Sequence, residues 1–285
     1  MEECSHNCAA CASGCSERQE FRRDEELMEK LLPGAGVKKV IAVVSGKGGV
    51  GKSMVTSLLA AEANRRGYRT AVMDADLTGP SIPAAFGVTG RARAGESFMY
   101  PVATESGIQL MSINLLLEDA AEPVLWRGPV IAGVAAQFWS EVLWDDVDFM
   151  FVDMPPGTGD VPLTVLQGLP VDGVVIVTSP QDLVGMIVEK AVRMSEMMKV
   201  PVLTLVENMS YYICPKCGEM EEIFGESHAA EQAAAHGIPS FIRLPINPDA
   251  ARLMDAGRVE DIDCGYVSAL ADTVLCRFGD IPPRK

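Results

Sequence analysis

The stretch Gly46-Lys47-Gly48-Gly49-Val50-Gly51-Lys52-Ser53 decides how the rest of the sequence is interpreted. It fits the pattern G-x-x-x-x-G-K-[ST] and follows an apolar run at residues 40–44, which predicts a buried strand. Apolar positions after it recur at helical spacing. Strand, glycine-rich loop and helix are the context in which this pattern forms a phosphate-binding loop, or P-loop. Backbone N–H groups of the loop and the start of the helix then attract phosphate oxygens.

Two side chains of this stretch are expected to contact the nucleotide directly. Lys52 is expected to pair with the β- and γ-phosphates, and Ser53 is expected to ligate Mg²⁺. The simpler alternative is a tight glycine turn between a strand and a helix. The predicted nucleotide-binding residues of the loop are Gly46, Lys47, Gly48, Gly49, Val50, Gly51, Lys52 and Ser53.

The rest of the chain alternates short apolar runs with longer amphipathic ones. Apolar runs at residues 70–73, 148–152, 173–177 and 202–206 predict further buried strands, and residues 183–198 predict a helix. Fully apolar strands separated by helices indicate a parallel sheet with helices on both faces. The predicted fold class is therefore α/β, a doubly wound, mostly parallel P-loop nucleotide hydrolase. Ligands of such sheets bind at the carboxyl ends of the strands.

Two acidic segments follow predicted strands and complete the predicted site. Asp153 occupies a Walker B position and is expected to hold Mg²⁺ through water, while Gly157 is a candidate to offer its backbone N–H to the γ-phosphate as a switch. Upstream, Asp74 and Asp76 leave another strand end. Asp76 is the candidate to orient the attacking water. Asp74 is expected to brace the loop or the magnesium shell, or merely to cap the loop.

The segment Cys214-Pro215-Lys216-Cys217 supplies two soft ligands in a predicted loop. C-x-x-C alone is half of a tetrahedral metal site, and no second C-x-x-C follows at zinc-ribbon distance. Two copies on a two-fold axis would complete a four-sulfur site that suits zinc or an iron–sulfur cluster. A redox dithiol is the alternative. The isolated Cys264 and Cys276 are predicted to be buried apolar residues of a C-terminal helix.

A separate cysteine-rich tail is predicted at residues 1–20, with Cys4, Cys8, Cys11 and Cys15 as a full ligand set. Three interpretations stay open: a [4Fe–4S] cluster, a zinc ion with His6 in place of one thiol, and an unstructured reducing tail. A helix and a linker are expected at residues 21–36. A P-loop domain is expected at 37–285, with the C-x-x-C insertion near 214–217.

Composition excludes several classes of partner. The formal net charge is −15, so the chain lacks the basic surplus that nucleic acid or anionic lipid requires. The first residues lack the pattern of a secretory signal, and no apolar run is long enough to span a bilayer. We therefore expect a cytoplasmic protein with neither nucleic acid nor a membrane as partner.

Several motifs, taken in order, carry a family resemblance. They are Lys47 within the loop, Asp74-Ala75-Asp76-Leu77-Thr78-Gly79-Pro80-Ser81, Trp126-Arg127-Gly128-Pro129, Asp153-Met154-Pro155-Pro156-Gly157-Thr158-Gly159-Asp160, and Glu207-Asn208-Met209-Ser210 with C-x-x-C just after it. Together they resemble the Mrp/ApbC family of iron–sulfur cluster carrier ATPases, which are related to MinD. The resemblance runs from about residue 37 to the C-terminus.

This resemblance implies a homodimer that bridges a labile [4Fe–4S] cluster through Cys214 and Cys217 and passes it to apo iron–sulfur proteins. It also implies that Asn208 reads adenine, which favours ATP over GTP. Lys47 gives the loop the deviant Walker A form, whose extra lysine reaches the partner's nucleotide as an arginine finger does. Lys47, Lys52 and Asp76 are the predicted catalytic residues, with ATP, Mg²⁺ and the cluster as bound groups.

Two other functions are compatible with the same loop. One is a MinD-like positioning or regulatory switch without cluster transfer, which works on a membrane through a basic amphipathic helix. Residues 278–285 do not have that pattern. The other is a nitrogenase-type reductase, which takes cluster ligands from two loops, including one near the Walker B segment. Residues 153–160 contain no cysteine, which weakens that interpretation.

Overall fold

The apolar runs of the sequence form strands, and the amphipathic segments between them form helices. The computed structural model describes residues 30–77, 79–95, 97–117, 128–180 and 184–284. The strands are β1 (Val37–Ser45), β2 (Thr70–Asp74), β3 (Arg93–Ala94), β4 (Met99–Tyr100), β5 (Val102–Ala103), β6 (Gln109–Met111), β7 (Val147–Asp153), β8 (Gly173–Thr178), β9 (Val202–Ile213), β10 (Met220–Glu221) and β11 (Phe241–Pro245). The helices are α1 (Lys52–Arg65), α2 (Ile82–Ala85), α3 (Gly128–Ser140), α4 (Asp160–Gly168), α5 (Val184–Met197), α6 (Ala229–Ala235), α7 (Pro248–Asp255) and α8 (Gly265–Leu275). Short 3-10 turns cover Ile113–Leu115, Val259–Asp261 and Cys276–Phe278.

Within the described residues, nine of these strands form one sheet. Its order is β11-β9-β8-β1-β7-β2-β6-β5, and β10 pairs with the far end of β9. Neighbours from β11 to β6 are parallel, whereas β5 and β10 are antiparallel at the margins. The strands β3 and β4 form a separate antiparallel ribbon.

Helices cover both faces of this sheet, so its central strands are buried without alternation. One face packs on α3, α4, α5 and α6, through residues such as Phe138, Leu166 and Val188. The other face packs on α1, α2, α7 and α8, through residues such as Leu58 and Leu270. The predicted doubly wound, mostly parallel α/β fold is confirmed.

The strand order gathers the acidic motifs at one edge of the sheet. The strand β7 lies between β1 and β2, and Asp153 at its end is in register with Asp74 at the end of β2. The same residue is in register with Val43 of β1, three residues before the phosphate loop begins at Gly46. Segments far apart in sequence therefore meet at the carboxyl ends of the strands.

Some predictions fall outside the described residues, and others are wrong. The cysteines at positions 4, 8, 11 and 15, most of the helix predicted from residue 21, and Trp126 and Arg127 lie outside them. Residues 30–32 are not helical and lead into a turn at Gly34, where the Ala35 N–H donates to the Leu32 carbonyl at 2.9 Å.

The burial predicted for two cysteines is wrong. Cys264 is half-buried and Cys276 is exposed, because they lie at the two ends of α8. The core contacts of that helix come from Val267, Leu270 and Val274. Among the helices described, none is long and apolar enough to cross a bilayer.

Candidate functional site

The phosphate loop joins β1 to α1, which begins at Lys52. Gly49 and Gly51 have φ values of +80° and +86°, a left-handed conformation that costs a residue with a side chain roughly 1–2 kcal/mol. At Gly51 there is no space either, because a Cβ there would lie 2.1 Å from Nδ2 of Asn208. The last glycine of the motif is therefore a steric requirement of this loop.

A cavity of about 330 Å³ opens over the loop. It is lined by Ser45, Gly48, Gly49, Gly51, Lys52, Ser53, Met54, Asp76, Gly79, Pro156 and Met254. A Cβ added at Gly48 or Gly49 would meet nothing within 4 Å, so the backbone of these glycines faces open space. The half-buried Lys47 stands at the start of the loop. Glycine backbone around a cavity at a helix start suits the oxygens of a polyphosphate.

The ammonium of Lys52 lies between two carboxylates. Its Nζ is 2.8 Å from Oδ1 of Asp153 and 3.6 Å from Oδ2 of Asp76. Ser53 Oγ donates a hydrogen bond of 2.6 Å to Oδ2 of Asp153. The structure thus brings together four side chains that the sequence assigns to one site. A serine hydroxyl and a carboxylate are hard oxygen donors, which fit Mg²⁺ held with a nucleotide.

Two hydroxyl groups that the sequence analysis missed hold the carboxylates. Thr56 Oγ1 donates to Oδ1 of Asp153 at 2.8 Å, and Ser112 Oγ donates to Oδ2 of Asp74 at 3.0 Å. Thr56 lies three residues after Ser53 on α1, so helical spacing could have indicated it. Ser112 follows β6, a strand of three residues that is too short for a sequence pattern to predict.

Asp74 is fully buried beside Asp153. Burial, followed by the negative charge of Asp153, raises the pKa of Asp74 to about 8. Its carboxyl group is therefore mostly protonated at neutral pH. The other oxygen, Oδ1, accepts a hydrogen bond of 3.2 Å from the backbone N–H of Asp76. This arrangement is the one expected of a residue that braces the loop carrying Asp76.

Two predicted contacts have protein partners in this structure. The Gly157 N–H donates to the carbonyl of Ser45 at 2.8 Å, and this bond must break before the N–H can reach a γ-phosphate. Asn208 is buried, and its Nδ2 donates to the carbonyl of Val50 at 3.0 Å. Its contact with adenine stays a prediction.

The two thiols of the C-x-x-C segment lie at the tip of the hairpin formed by β9 and β10. The Cys214 N–H donates to the Glu219 carbonyl at 2.9 Å, and the Gly218 N–H donates to the Cys214 carbonyl at 2.8 Å. Cys214 is half-buried and Cys217 is exposed. Hydrogen bonds from the backbone N–H of Cys217, then of Lys216, lower the pKa of the Cys214 thiol.

No complete metal site is present in the part of the chain that the structure describes, where no three His, Cys, Asp or Glu side chains are grouped to hold a metal ion. The pair of thiols, Cys214 and Cys217, is therefore two ligands short of the tetrahedral set that thiolate metal centres use.

Known proteins are similar to this chain over most of its length. The family model for ParA, described as NUBPL iron-transfer P-loop NTPase, matches residues 36–272. The chain belongs to this family. As an iron-transfer P-loop NTPase it has a nucleotide-binding site, and the loop at residues 46–53 carries the phosphate-binding motif of that site.

Two curated relatives of this iron-transfer NTPase are similar to it over at least 90% of their length. The iron-sulfur cluster carrier protein of Clostridium perfringens is 41% identical over 267 residues, which cover 90% of this chain and 94% of the relative. The protein of the same name from Methanocaldococcus jannaschii is 38% identical over 263 residues, 90% of each chain. The predicted resemblance to cluster carrier ATPases is confirmed.

Solved structures place the NTPase among MinD-like folds. The nucleotide-binding protein of Archaeoglobus fulgidus in complex with ADP is 43% identical, with a TM-score of 0.74 over 81% of this chain and 90% of that one. MinD of Pyrococcus horikoshii with Mg-ADP is 17% identical, with a TM-score of 0.58 over 85% of this chain and 96% of that one. The second similarity shows the fold alone.

Proposed function

We propose that the chain binds and hydrolyses ATP and carries a [4Fe–4S] cluster, which it assembles and passes to apo iron–sulfur proteins. The observation that carries the proposal is a thiol pair, the half-buried Cys214 and the exposed Cys217, on a hairpin of a chain with a complete P-loop. Relatives named iron-sulfur cluster carrier proteins support it over nearly their full length. They favour cluster transfer over a MinD-like positioning role.

The nucleotide half of the proposal assigns a role to each polar group around the cavity. Lys52 exchanges Asp153 for the β- and γ-phosphates, and Asp76 orients the attacking water. Ser53 and Asp153 hold Mg²⁺, which supplies neutralisation of phosphate charge. Gly157 turns its N–H from Ser45 toward the γ-phosphate, and Asn208 contacts adenine.

A second copy of the chain completes the nucleotide site. Lys47 of each protomer reaches the nucleotide of the other, where its positive charge stabilises the charge that develops on the transferred phosphoryl group. Hydrolysis then requires the dimer, whereas nucleotide binding does not. The state of the nucleotide thereby controls whether the two protomers stay together.

The same dimer completes the thiol site. Four thiolates hold a [4Fe–4S] cluster, and each protomer offers two from its hairpin tip. The lowered pKa of Cys214 favours the thiolate that iron requires. Large apolar side chains near the tip are exposed, which is typical of a protein-binding surface; they are Ile213, Met220, Ile223 and Phe224.

The N-terminal cysteines form a second ligand set in this proposal. Cys4, Cys8, Cys11 and Cys15 bind a further [4Fe–4S] cluster, with zinc as the competing occupant. The protein acts in the cytoplasm, and its partners are its own second copy and apo iron–sulfur proteins.

Anaerobic reconstitution with iron and sulfide tests the cluster site. We expect Cys214→Ala/Cys217→Ala to lose about half a cluster per chain, since two chains share one cluster. Iron and sulfide content, together with absorption, gives the stoichiometry. The matched control is Cys264→Ala/Cys276→Ala, which removes two thiols from the ends of α8 and should leave the content unchanged.

Two results would overturn the shared site. One is a cluster content that does not change in Cys214→Ala/Cys217→Ala. The other is a chain that stays monomeric in every nucleotide condition when protected from oxygen. Removal of residues 1–20 tests the second ligand set separately, since its loss should leave the hairpin cluster in place.

A further inference from the structure

One strand contacts the phosphate loop and also leads to the thiols. β9 (Val202–Ile213) carries Asn208 beside the loop and ends one residue before Cys214. A strand rises about 3.3 Å per residue, so Asn208 and Cys214 are at most roughly 20 Å apart. Asn208 is the residue of β9 that we assign to the nucleotide. The strand therefore connects the nucleotide site to the thiol hairpin, the two regions that the proposed function must coordinate.

The side chain of Asn208 is fixed against the loop. Its Nδ2 donates to the Val50 carbonyl at 3.0 Å, and only 5% of the residue is exposed. The absence of a side chain at Gly51 is what allows this approach, because a Cβ there would lie 2.1 Å from Nδ2. A shift of the loop at Val50 or Gly51 therefore moves or releases Asn208.

The strand bends directly after Asn208. Met209 has a φ of +57°, a left-handed conformation that is unfavourable for a side chain of this size. Pairing with β8 ends one residue earlier, at Glu207, and the pairing with β11 shifts register between Arg243 and Pro245. Backbone strain of this kind persists only where the surroundings hold it, and it is concentrated at active sites, ligand clamps and switch segments.

Beyond the bend, one side chain ties the hairpin to the sheet. Arg243 Nε donates to Ser210 Oγ at 2.7 Å, and Ser210 Oγ in turn donates to the buried carboxylate of Glu207. The same guanidinium donates to Glu222, just after β10. The thiol-bearing hairpin is therefore held by contacts on both sides of the bend.

We propose that Asn208 is a positioning residue that couples the phosphate loop to the Cys214–Cys217 hairpin through the bend of β9 at Met209. Phosphate binding reorients the backbone around Val50, the hydrogen bond from Asn208 changes, and the bend transmits the change to the hairpin tip. The inference rests on the proposed function, which makes the hairpin the cluster-binding site. What it adds is the movement of the hairpin when nucleotide binds, and this movement does not require a cluster.

Thiol reactivity without iron or sulfide tests the coupling. Alkylation of Cys214 and Cys217 by iodoacetamide is followed by peptide mass spectrometry, with and without saturating Mg-ATP, and the exposed Cys276 is the internal reference. In the unmodified chain we expect nucleotide to change the rate at the hairpin by about fivefold, the lower end of typical coupling between sites. In Asn208→Ala this change should largely disappear.

Two further variants keep the test decisive. Asn64→Ala removes a half-buried asparagine that donates to Ser106, outside both the loop and the hairpin, and it should behave as the unmodified chain does. Met209→Gly removes the backbone strain at the bend, since glycine adopts a positive φ freely, and it does not alter the loop. It should also weaken the nucleotide-dependent change in alkylation rate. Because the nucleotide is saturating for every variant, a smaller change in alkylation rate reports lost coupling and not weaker binding.

The outcomes are distinct. A nucleotide-dependent change that survives in both Asn208→Ala and Met209→Gly would overturn the coupling and leave Asn208 as an adenine-binding residue only. An unmodified chain with no change would overturn it as well. Neither result bears on cluster binding, which the reconstitution measures independently.

Discussion

The ammonium of Lys52 lies 2.8 Å from Oδ1 of Asp153, and both side chains are buried. The sequence assigns the first to phosphate and the second to magnesium, but here each neutralises the other. In the proposed function a magnesium nucleotide exchanges these partners: the lysine moves to phosphate oxygens, and the carboxylate becomes available to the metal. The energy of this exchange depends on both ligands arriving together, which makes affinity strongly dependent on the metal.

Asp153→Asn tests that exchange. The variant releases Lys52 from its nearest anion and removes the carboxylate for the metal, so we expect metal-free ATP to bind at least as well as before. The gain in affinity that Mg²⁺ gives should fall by about tenfold or more, the loss of one charge-assisted contact of roughly 1.5–3 kcal/mol. Titration calorimetry with Mg²⁺ or with a chelator measures both affinities.

A matched control for that experiment is Asp172→Asn. Oδ1 of Asp172 lies 3.2 Å from Nζ of Lys39, so the substitution breaks an aspartate–lysine pair outside the cavity. It should leave the metal dependence unchanged. An unaltered metal dependence in Asp153→Asn would contradict the assignment of Asp153.

The stability of the nucleotide-free protein should depend on the pH through Asp74. The unfolded chain releases this proton near pH 4, whereas the folded chain holds it until the pH approaches about 8. The folded state therefore binds more protons over this range, and its stability falls as the pH rises through it. Asp74→Asn has no proton to lose. The melting temperature of the variant, relative to that of the unmodified chain, should therefore rise as the pH increases from 5.5 to 8.5.

Thermal unfolding at several pH values measures that difference. Asp263→Asn, which changes an exposed carboxylate, is the control and should follow the unmodified chain. If the gap between Asp74→Asn and the unmodified chain stays constant over the range, the raised pKa of Asp74 is wrong.

Gly51→Ala should destabilise the fold even without nucleotide. The residue has a φ of +86°, and the new Cβ would displace the side chain of Asn208. We expect the free energy of unfolding to fall by about 1–3 kcal/mol. Urea denaturation compares it with Gly48→Ala, where a Cβ meets nothing within 4 Å and stability should hardly change. Equal stabilities for the two variants would argue against this loop conformation.

Mixing two inactive variants tests whether Lys47 acts across a dimer. Lys47→Ala should keep nucleotide affinity and lose turnover by about 10³-fold, the effect of removing a charge supplied in trans. Lys52→Ala should lose turnover as well, together with at least about tenfold in nucleotide affinity, because a phosphate contact is lost. A mixed dimer has one site with its own Lys52 and a partner's Lys47, so an equimolar mixture should recover about a quarter of the normal rate.

The same mixture has a clear negative outcome. If the two variants together hydrolyse no more ATP than either does alone, while sedimentation shows that mixed dimers form, Lys47 does not act in trans. Each variant alone, at twice the concentration, is the control.

Local patterns were enough to predict the loop and its neighbours. The glycines and the apolar spacing of α1 are written within one short stretch, and the structure has the predicted β1–loop–α1 unit. The end of β9 could not be predicted in this way. The apolar run covers residues 202–206, but the strand continues to Ile213 because β10 and β11 pair with its polar second half.

The arrangement of the carboxylates also exceeds what the sequence contains. The contact between Asp74 and Asp153 depends on β7 lying between β1 and β2, a strand order that no local pattern specifies. The error for Cys264 and Cys276 has the same origin. A C-terminal helix was predicted without its limits, and a thiol at the end of a helix is more exposed than one in the middle of its buried face.

Because the hairpin tip has two thiols, cluster occupancy in the proposed carrier depends on the concentration of the protein. In the proposed carrier Cys214 and Cys217 supply half of the sulfur ligands of a cluster, and among the residues described here nothing nearby supplies the rest. Retention in the proposed carrier is then bimolecular, and occupancy falls on dilution in a way that a centre enclosed by one chain does not. Such a carrier releases its load more readily where it is scarce.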